Sequence, residues 1–420
     1  MNEKNLTKEE FLAEKWAALA AFFNERGADG EGIVSGFKEL YTIYSEDLPA
    51  WLGGLYDANI GGFYYSNSAR DNEPHLPDIE STNQALNLLI NTGMMKSCRE
   101  LPEEMQNKLR EFTCSLQCEE DGYIYHPQWG KDIVNSRRGR DMTWAISMGD
   151  KLGFKLPYPT ANERFAALKA AKGEEKEKLM ASLPEHLTTK EKFVEYLESF
   201  DWVNSSYYAG NTVAAQGAQI IAAGLAEVCA EHLNKYQNPK TGFWSDKADM
   251  HTGINGFLKI TAFYISAGIP INMAEKAAMS AIECTKSDEI GTTVCHLYNC
   301  WFSLQNILTS LRRTGNDAKA EEIYALILKH APEALRAAKR KTEVFRKPDG
   351  AFSYTARCSS YKSQEAVVCL PDMAESDVNA SVLSTSGLTR NIIQTLGANE
   401  YYVPIYTHHD FENFLKALKI

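Results

Sequence analysis

The chain has 420 residues, of which 44% are hydrophobic, 11% aromatic and 24% charged. This composition is typical of a protein that buries a large core, and it excludes an intrinsically disordered chain. The net charge of -11 disfavours nucleic acid as a partner, and no apolar run reaches the about 18 residues that a membrane-spanning helix needs.

The N-terminal residues and the cysteines both bear on location. The first six residues show no basic head followed by an apolar run, so the sequence predicts no signal peptide. Nine cysteines are scattered without a C-x-x-C pair, and Cys98, Cys229 and Cys284 fall in apolar helical patterns. We therefore expect free thiols and a cytoplasmic protein.

Helical patterns fill the chain from its start. Thr7 and Glu10 form a capping box before an apolar stripe, and Gly27 marks the end of this first helix. Six later segments open with a polar cluster and then turn apolar on most sides, which is typical of inner helices. They are residues 80–90, 141–152, 211–230, 253–267, 293–311 and 377–396. More charged, amphipathic segments alternate with them, at residues 102–116, 190–200, 273–284 and 318–342.

Glycine-aromatic loops recur between these segments, and a recurring loop indicates a repeat architecture. They read Gly61-Gly62-Phe63-Tyr64-Tyr65, Asp121-Gly122-Tyr123-Ile124-Tyr125, Thr241-Gly242-Phe243-Trp244 and Asp349-Gly350-Ala351-Phe352-Ser353-Tyr354. A second motif, Leu-Pro-Asp, occurs at residues 76–78 and again at 370–372, each time shortly before an apolar helix. The sequence thus predicts an all-α fold, an (α/α)6 toroid of helical hairpins with little or no β-structure, in which residues 1–420 form a single domain.

The loops also carry a resemblance to known families. Residues 237–244, Gln-Asn-Pro-Lys-Thr-Gly-Phe-Trp, resemble the Q-x-x-x-G-x-W repeats of terpenoid cyclases and protein prenyltransferases, with one extra residue in the spacer. The layout of paired helices resembles that of six-hairpin glycosidases and toroid polysaccharide lyases. These resemblances imply an α/α toroid, and the lyase and glycosidase families imply a carbohydrate substrate.

A candidate site follows from this fold, because parallel inner helices bring their N-terminal polar clusters to one mouth, where helix dipoles favour anions. The candidate catalytic residues are His251, Tyr208, Asp141, Asp377 and His296. The candidate substrate-binding residues are Arg140, Arg137, Glu80, Asn255, Tyr298, Trp144, Trp301 and Asn379. For the carboxylates, helix N-capping is the alternative interpretation, and for the arginines it is a solvated loop.

Several functions are compatible with these residues. In β-elimination on acidic, uronate-containing oligosaccharides, Asn255 or Arg140 would neutralise the uronate, His251 would take the C5 proton and Tyr208 would protonate the leaving oxygen. In a glycoside hydrolase, Asp141 would act with Asp377 or Glu80.

The remaining alternatives are a non-catalytic ligand-binding toroid and an isoprenoid cyclase or transferase, although no D-D-x-x-D or D-x-D-D box is present. No common metal, P-loop or nucleophile-elbow motif is present either, so we expect no metal and no cofactor. The expected partner is a small anionic or carbohydrate substrate, with no nucleic acid and no membrane; the sequence leaves the oligomeric state open.

Overall fold

The computed structural model describes residues 7–161, 163–164, 184–245 and 249–418, and its regular structure is predominantly α-helical. The helices are α1 (Lys8–Asn24), α2 (Gly30–Tyr41), α3 (Leu48–Gly53), α4 (Asn67–Asp71), α5 (Ile79–Thr92), α6 (Glu103–Ser115), α7 (Asn135–Leu152), α8 (Lys190–Glu198), α9 (Ser206–Ala215), α10 (Gly217–Ala222), α11 (Ala226–Asn234), α12 (Met250–Ala267), α13 (Ala274–Lys286), α14 (Cys295–Arg313), α15 (Asp317–Glu343), α16 (Val378–Val382), α17 (Leu388–Thr395) and α18 (His408–Ala417). A π-helical turn, Leu383–Gly387, joins α16 to α17.

The strands of the described residues form two short antiparallel hairpins. Strands β1 (Tyr56–Asp57) and β2 (Gly62–Phe63) make the first hairpin, and β3 (Lys362–Ser363) and β4 (Ala366–Val367) make the second. In the first, Tyr56 pairs with Phe63; in the second, Lys362 pairs with Val367. The expectation of an all-α chain with little β-structure is confirmed at this level.

The predicted apolar helices pack against one another in a continuous order. Helix α7 packs on α5, α5 on α16, the π turn and α17 on α14, α14 on α12, and α12 on α9 and α10. The amphipathic helices lie against this series: α6 packs on α7, α13 on α14, and α15 on α13, α14 and α2. Most buried apolar side chains form one contiguous cluster that extends from Trp16 to Phe414, and Tyr65, Ala69, Val368 and Cys369 form a second, small cluster.

One predicted inner helix is divided in the structure. The sequence predicted a single helix over residues 211–230, whereas α9, α10 and α11 share this stretch. The first break lies at Gln216, whose ψ of 3° departs from helical geometry, and the second at Gly224, whose φ of 72° is left-handed. A residue in the left-handed region ends an α-helix, and glycine adopts that region without steric cost.

The recurring loops are also repeats in three dimensions. Their glycines at 61, 122, 242 and 350 all have φ between 75° and 86°. In two of the loops a glutamine has the same role: the Nε2 atoms of Gln117 and Gln237 donate to the carbonyl oxygens of Gly122 and Gly242, five residues on. The loops therefore share one backbone turn, which accounts for the repeated glycine.

The repeated Leu-Pro-Asp motif does not mark equivalent positions. Asp78 caps α5, and the residue with the same role in the second copy is Asp377, which caps α16, rather than Asp372. The backbone N–H groups of Asp78 and Asp377 donate to the carbonyl oxygens of Phe63 and Phe352. Asp372 is exposed and has a φ of 58°.

Helices α9 and α12 approach closely, and this approach positions Lys259. A Cβ atom on Gly256 of α12 would lie 2.0 Å from the Oγ atom of Ser206 of α9, so only glycine fits there. The approach brings Lys259 of α12 over the ring of Tyr207, with Nζ 5.2 Å from the ring centroid. No helix of the described residues is long and apolar enough to cross a membrane.

Candidate functional site

The N-terminal ends of α5 and α7 meet around a buried guanidinium group. Arg137 is fully buried, and its Nη2 and Nη1 atoms lie 3.1 Å from Asp78 and 2.9 Å from Glu80. Its Nε atom lies 2.9 and 3.0 Å from the two carboxylate oxygens of Asp141, one helical turn on. The indole ring of Trp129 lies 4.6 Å from the guanidinium carbon. A buried charge needs this degree of pairing, because removing its partners leaves it without solvation.

The hairpin of β3 and β4 adds to this cluster from a distant part of the chain. The backbone carbonyl of Ser363 accepts a hydrogen bond from Arg137 at 3.2 Å, and its hydroxyl donates to Glu80 at 2.8 Å. Trp129 anchors the hairpin by donating from Nε1 to the carbonyl of Val367. Glu80 therefore contacts both Ser363 of the hairpin and Arg137 of α7.

Arg140 is another cation beside this cluster, and unlike Arg137 it is partly exposed to solvent. Its Nη2 atom lies 2.6 Å from Glu80. The guanidinium lies 5.8 Å from the ring of Trp144, whose Nε1 atom is buried without a hydrogen-bond partner among the described residues. Predicted substrate-binding residues Glu80, Arg140 and Trp144 are therefore neighbours.

A second cation faces the same space. Lys259 is partly buried, and burial lowers its pKa, as does the positive charge of Arg140, while Cys295 opposes the shift. Among the described residues it has no carboxylate partner; its cation lies over Tyr207. Burial likewise raises the pKa of Tyr207. The result is a partly desolvated amine beside a phenol that holds its proton.

Further contacts connect side chains at the N-terminal ends of α5, α14 and α16. Tyr354 is the last residue of the fourth glycine loop, and its hydroxyl lies 3.6 Å from the Sγ atom of Cys295. The backbone N–H of Tyr354 donates to Asp377 at 2.9 Å. On the neighbouring side, Gln84 donates to Asn379 at 3.1 Å and lies 3.3 Å from Glu80. We call the space bounded by Glu80, Arg140, Lys259, Cys295 and Asn379 the mouth.

Two predicted catalytic carboxyls have strongly shifted pKa values. Burial raises the pKa of Asp141 to about 7 against the opposing charge of Arg137. Burial also raises the pKa of Asp377 to about 7, opposed by hydrogen bonds from the backbone of Ala380, the hydroxyl of Tyr65 and the backbone of Tyr354. Both side chains are 0% exposed, and Asp377 is the N-cap of α16. Neither carboxyl touches the mouth directly.

The predicted histidines form a separate hydrogen-bonded group with the predicted Asn255. His251 and His296 stack with centroids 5.1 Å apart. The Nδ1 atom of His296 accepts from the backbone N–H of Thr292 at 3.1 Å, and its Nε2 atom lies 2.7 Å from the side-chain amide of Asn255. Asn255 in turn bonds the amide of Asn299 at 2.5 Å.

These contacts determine the tautomer of His296. Because Nδ1 accepts a hydrogen bond, a neutral ring must carry its proton on Nε2, the atom that faces the side-chain amide of Asn255. The Oδ1 atom of Asn255 accepts a hydrogen bond from the Nδ2 atom of Asn299. Burial lowers the pKa of His296 to about 4, and His251 lowers it further in the same direction, so the ring is neutral near pH 7.

Three predicted site residues lie apart from the mouth. His251 is 2% exposed, and its Nε2 atom lies 3.0 Å from the carbonyl of Glu289. Trp301 is 2% exposed and belongs to the hydrophobic core. Tyr208 is 76% exposed and packs edge-on against Tyr207. Tyr298 is nearer: it is partly buried, and its pKa is raised by burial and by Cys295.

The sequence interpretation missed several residues of the mouth. Lys259 lies inside an apolar stretch, although its position four residues after Asn255 places both on one helical face. Gln84 has the same relation to Glu80. Tyr354 belongs to a recurring glycine-aromatic loop and Cys295 to a predicted inner helix, but neither pattern marked them as site residues. No group of three or more His, Cys, Asp or Glu side chains in the described chain is arranged to hold a metal ion.

No family model matches the chain, and no curated protein matches it in sequence. The predominantly helical structure is compatible with an α/α toroid, while the superfamily stays unidentified.

Proposed function

We propose that the inner helices form a six-hairpin toroid and that the mouth is the site of a lyase acting on uronate-containing oligosaccharides. The order in which α7, α5, α16, α14, α12 and α9 pack supports the toroid. The observation that carries the function is that the cation of Lys259 lies over the ring of Tyr207 and within the electrostatic influence of Arg140.

The three side chains suit three steps because their environments differ. Arg140 stays a cation at all working pH values and can pair with a carboxylate through its planar fork. Lys259, partly desolvated and beside another cation, loses its proton more easily than an ordinary lysine. Tyr207 has a raised pKa and keeps its proton. Such separated proton affinities are typical of acid and base pairs.

The reaction that follows is β-elimination. Arg140 neutralises the uronate carboxylate and so acidifies the proton on C5. The amine of Lys259 takes that proton, the bond between C4 and the leaving oxygen breaks, and a C4–C5 double bond forms. Tyr207 donates its proton to the leaving oxygen. Trp144, beside Arg140, offers a ring on which a sugar face can stack. In this proposal Lys259 and Tyr207 take the roles expected for His251, which is buried against the carbonyl of Glu289, and for Tyr208, which is largely exposed.

A glycoside hydrolase is the second candidate, and the pKa values of Asp141 and Asp377 favour it. A carboxyl with a pKa of about 7 can act as a general acid near neutrality. However, both carboxyls are fully buried and already bonded to protein groups. The accessible cations of the mouth therefore make elimination the better proposal.

The test uses ultraviolet absorbance of the unsaturated product, with reducing-end release measured in parallel, on a panel of uronate oligosaccharides. We expect absorbance to rise, and the rate to increase with pH as Lys259 loses its proton. Lys259→Arg keeps the charge but not the base, so it should bind substrate and fail to turn it over, whereas Lys259→Gln should lose both. Lys240→Gln removes an exposed lysine and is the matched control.

The outcomes separate the candidates. Reducing ends without absorbance would replace the lyase by the hydrolase and transfer the catalytic roles to Asp141 and Asp377. Binding of the oligosaccharides without either product would favour a ligand-binding toroid. The absence of both binding and turnover across the whole panel would contradict a carbohydrate function. Binding of apolar chains instead would favour isoprenoid chemistry.

A further inference from the structure

A second cleft lies at the opposite end of the inner helices from the mouth. It has a volume of about 610 Å³ and lies at the C-terminal end of α5, ten residues or about 15 Å along the helix from Glu80. Side chains from four separate segments line it, among them Lys15, Ile90, Met95, Arg390, Tyr402 and Pro404. We call it the distal cleft.

Lys15 and Arg390 are two of the cationic side chains that line the distal cleft. Arg390 is exposed and Lys15 is partly exposed, and neither has a carboxylate partner among the residues that the structure describes. Arg390 uses only its Nε atom, which donates to the backbone carbonyl of Asn91. Its guanidinium carbon lies over the ring of Tyr402, 4.3 Å from the ring centroid. Lys15 lies over the ring of Phe11 in the same way, at 5.5 Å.

The acidic groups nearby are, in contrast, already engaged. Glu100 lines the distal cleft, and its Oε1 atom accepts hydrogen bonds from the backbone N–H groups of Lys96 and Ser97. Asp410 is buried, pairs with Lys8 at 2.7 Å and accepts from the backbone of Thr407. The lining has three cationic side chains, Lys15, Lys96 and Arg390, against the one carboxylate of Glu100, so the cleft is locally positive on a chain whose net charge is -11. Such a local reversal of sign attracts anions.

The lining also includes apolar side chains, those of Ile90, Met95 and Pro404. Small-molecule sites typically combine such an apolar lining with a few charged groups that orient the ligand. We propose that the distal cleft is a second binding site, separate from the mouth, for a small organic anion with an apolar or aromatic body. The anionic group binds between Lys15 and Arg390, and the apolar body lies against Met95 and Tyr402.

The test compares two fluorescent probes of similar shape on the full chain: 8-anilinonaphthalene-1-sulfonate, an anion, and N-phenyl-1-naphthylamine, its neutral counterpart. We expect the anion to bind more tightly than the neutral probe. Added salt should weaken binding of the anion and leave binding of the neutral probe unchanged. Arg390→Gln should weaken binding of the anion about fivefold, as expected for one exposed charge pair, and leave the neutral probe unchanged. Arg313→Gln, which removes an exposed arginine elsewhere, is the matched control and should change neither.

Two results would overturn the proposal. One is equal affinity for the two probes; the other is an Arg390→Gln variant that binds the anion as Arg313→Gln does. Near-ultraviolet circular dichroism of each variant shows that the fold is retained. Lys15→Gln, compared with Lys240→Gln, repeats the measurement on the other side of the cleft.

Discussion

Asp377 shows how a single buried carboxyl links folding to pH. Its pKa is raised to about 7 by burial, whereas an unfolded aspartate has a pKa of about 3.9. Between these values the folded chain holds a proton that the unfolded chain has lost. The free energy of unfolding therefore falls as pH rises from about 4 to 7, and this contribution is level above pH 7.

The Asp377→Asn variant should lose that contribution, because an amide does not titrate. Between pH 5 and 7 we expect the stability of the variant to fall less steeply than that of the parent chain, by up to about 1.4 kcal/mol per pH unit. Urea denaturation in a series of buffers measures the slopes. Asp132→Asn, at an exposed position, should keep the parent slope; identical slopes for all three chains would contradict the prediction.

His296 provides a second test, this time of a hydrogen-bonded tautomer. Asn255→Asp places a carboxylate beside the Nε2 atom, and an adjacent negative charge favours the imidazolium. The pKa of His296, about 4 in the parent chain, should rise by at least about one unit in the variant. Nitrogen-15 NMR of labelled histidine reports both the pKa and the tautomer. Asn59→Asp adds the same charge at the surface, and a proton on Nδ1 in the parent chain would show that the assignment is wrong.

The helices were largely predictable from the sequence, because each depends on local signals. The capping box of Thr7 and Glu10 is present, and the predicted segment 273–284 corresponds to α13 with small shifts at its ends. The pairings at the mouth were not predictable in this way. Arg137 bonds residues 59 positions before it and 226 after it, and no local pattern records which distant carboxylate an arginine will contact.

His251 illustrates the same limit within one helix. It opens α12, as expected, yet α12 turns it toward the carbonyl of Glu289, while Asn255 lies beside His296. Successive residues of a helix point about 100° apart, so a helix start alone does not identify the face that a side chain occupies. Lys259 was missed because its neighbours in the sequence are apolar, although it lies on the same helical face as Asn255.

The turn that joins β3 and β4 has a backbone conformation that its two residues disfavour. Its two turn residues, Gln364 and Glu365, have φ values of 47° and 65°, and a two-residue turn of this kind favours asparagine followed by glycine. Backbone in the left-handed region costs about 1 kcal/mol for a residue with a larger side chain. This strained turn directly follows Ser363, which contacts Glu80 and Arg137.

Replacing the turn by Gln364→Asn and Glu365→Gly should relieve this strain. We expect a gain of about 1 kcal/mol in the free energy of unfolding, larger than the loss of the exposed Lys362 and Glu365 ion pair. Chemical denaturation measures the gain. Ser363→Ala leaves the turn unchanged and removes the hydroxyl that donates to Glu80, so it should destabilise; a turn variant that destabilises equally would argue against strain.

At the scale of the whole molecule, the first and last helices that the structure describes contact each other. Lys8 of α1 pairs with Asp410 of α18 at 2.7 Å, and α18 packs on α3. Tyr41 and Tyr406 connect the same regions through hydrogen bonds to the carbonyls of Val403 and Ser45. Since the buried cluster is continuous from Trp16 to Phe414, we expect the first and last helices to unfold together with the rest.

Gly53 allows this expectation to be tested at one atom. A Cβ atom there would lie 2.5 Å from the carbonyl oxygen of Phe414 and 2.9 Å from the Cβ atom of Ala417, so Gly53→Ala forces α18 away from α3. Overpacking of this kind typically costs about 1 to 3 kcal/mol. Gly139→Ala is the matched control, because a Cβ atom at position 139 of α7 meets nothing within 4 Å and alanine favours a helix. If the chain is one cooperative domain, circular dichroism and the fluorescence of the tryptophans should report a single transition that Gly53→Ala moves to lower temperature and Gly139→Ala does not. Loss of α18 alone at low temperature, with the main transition unmoved, would instead show that α18 unfolds independently of the other helices.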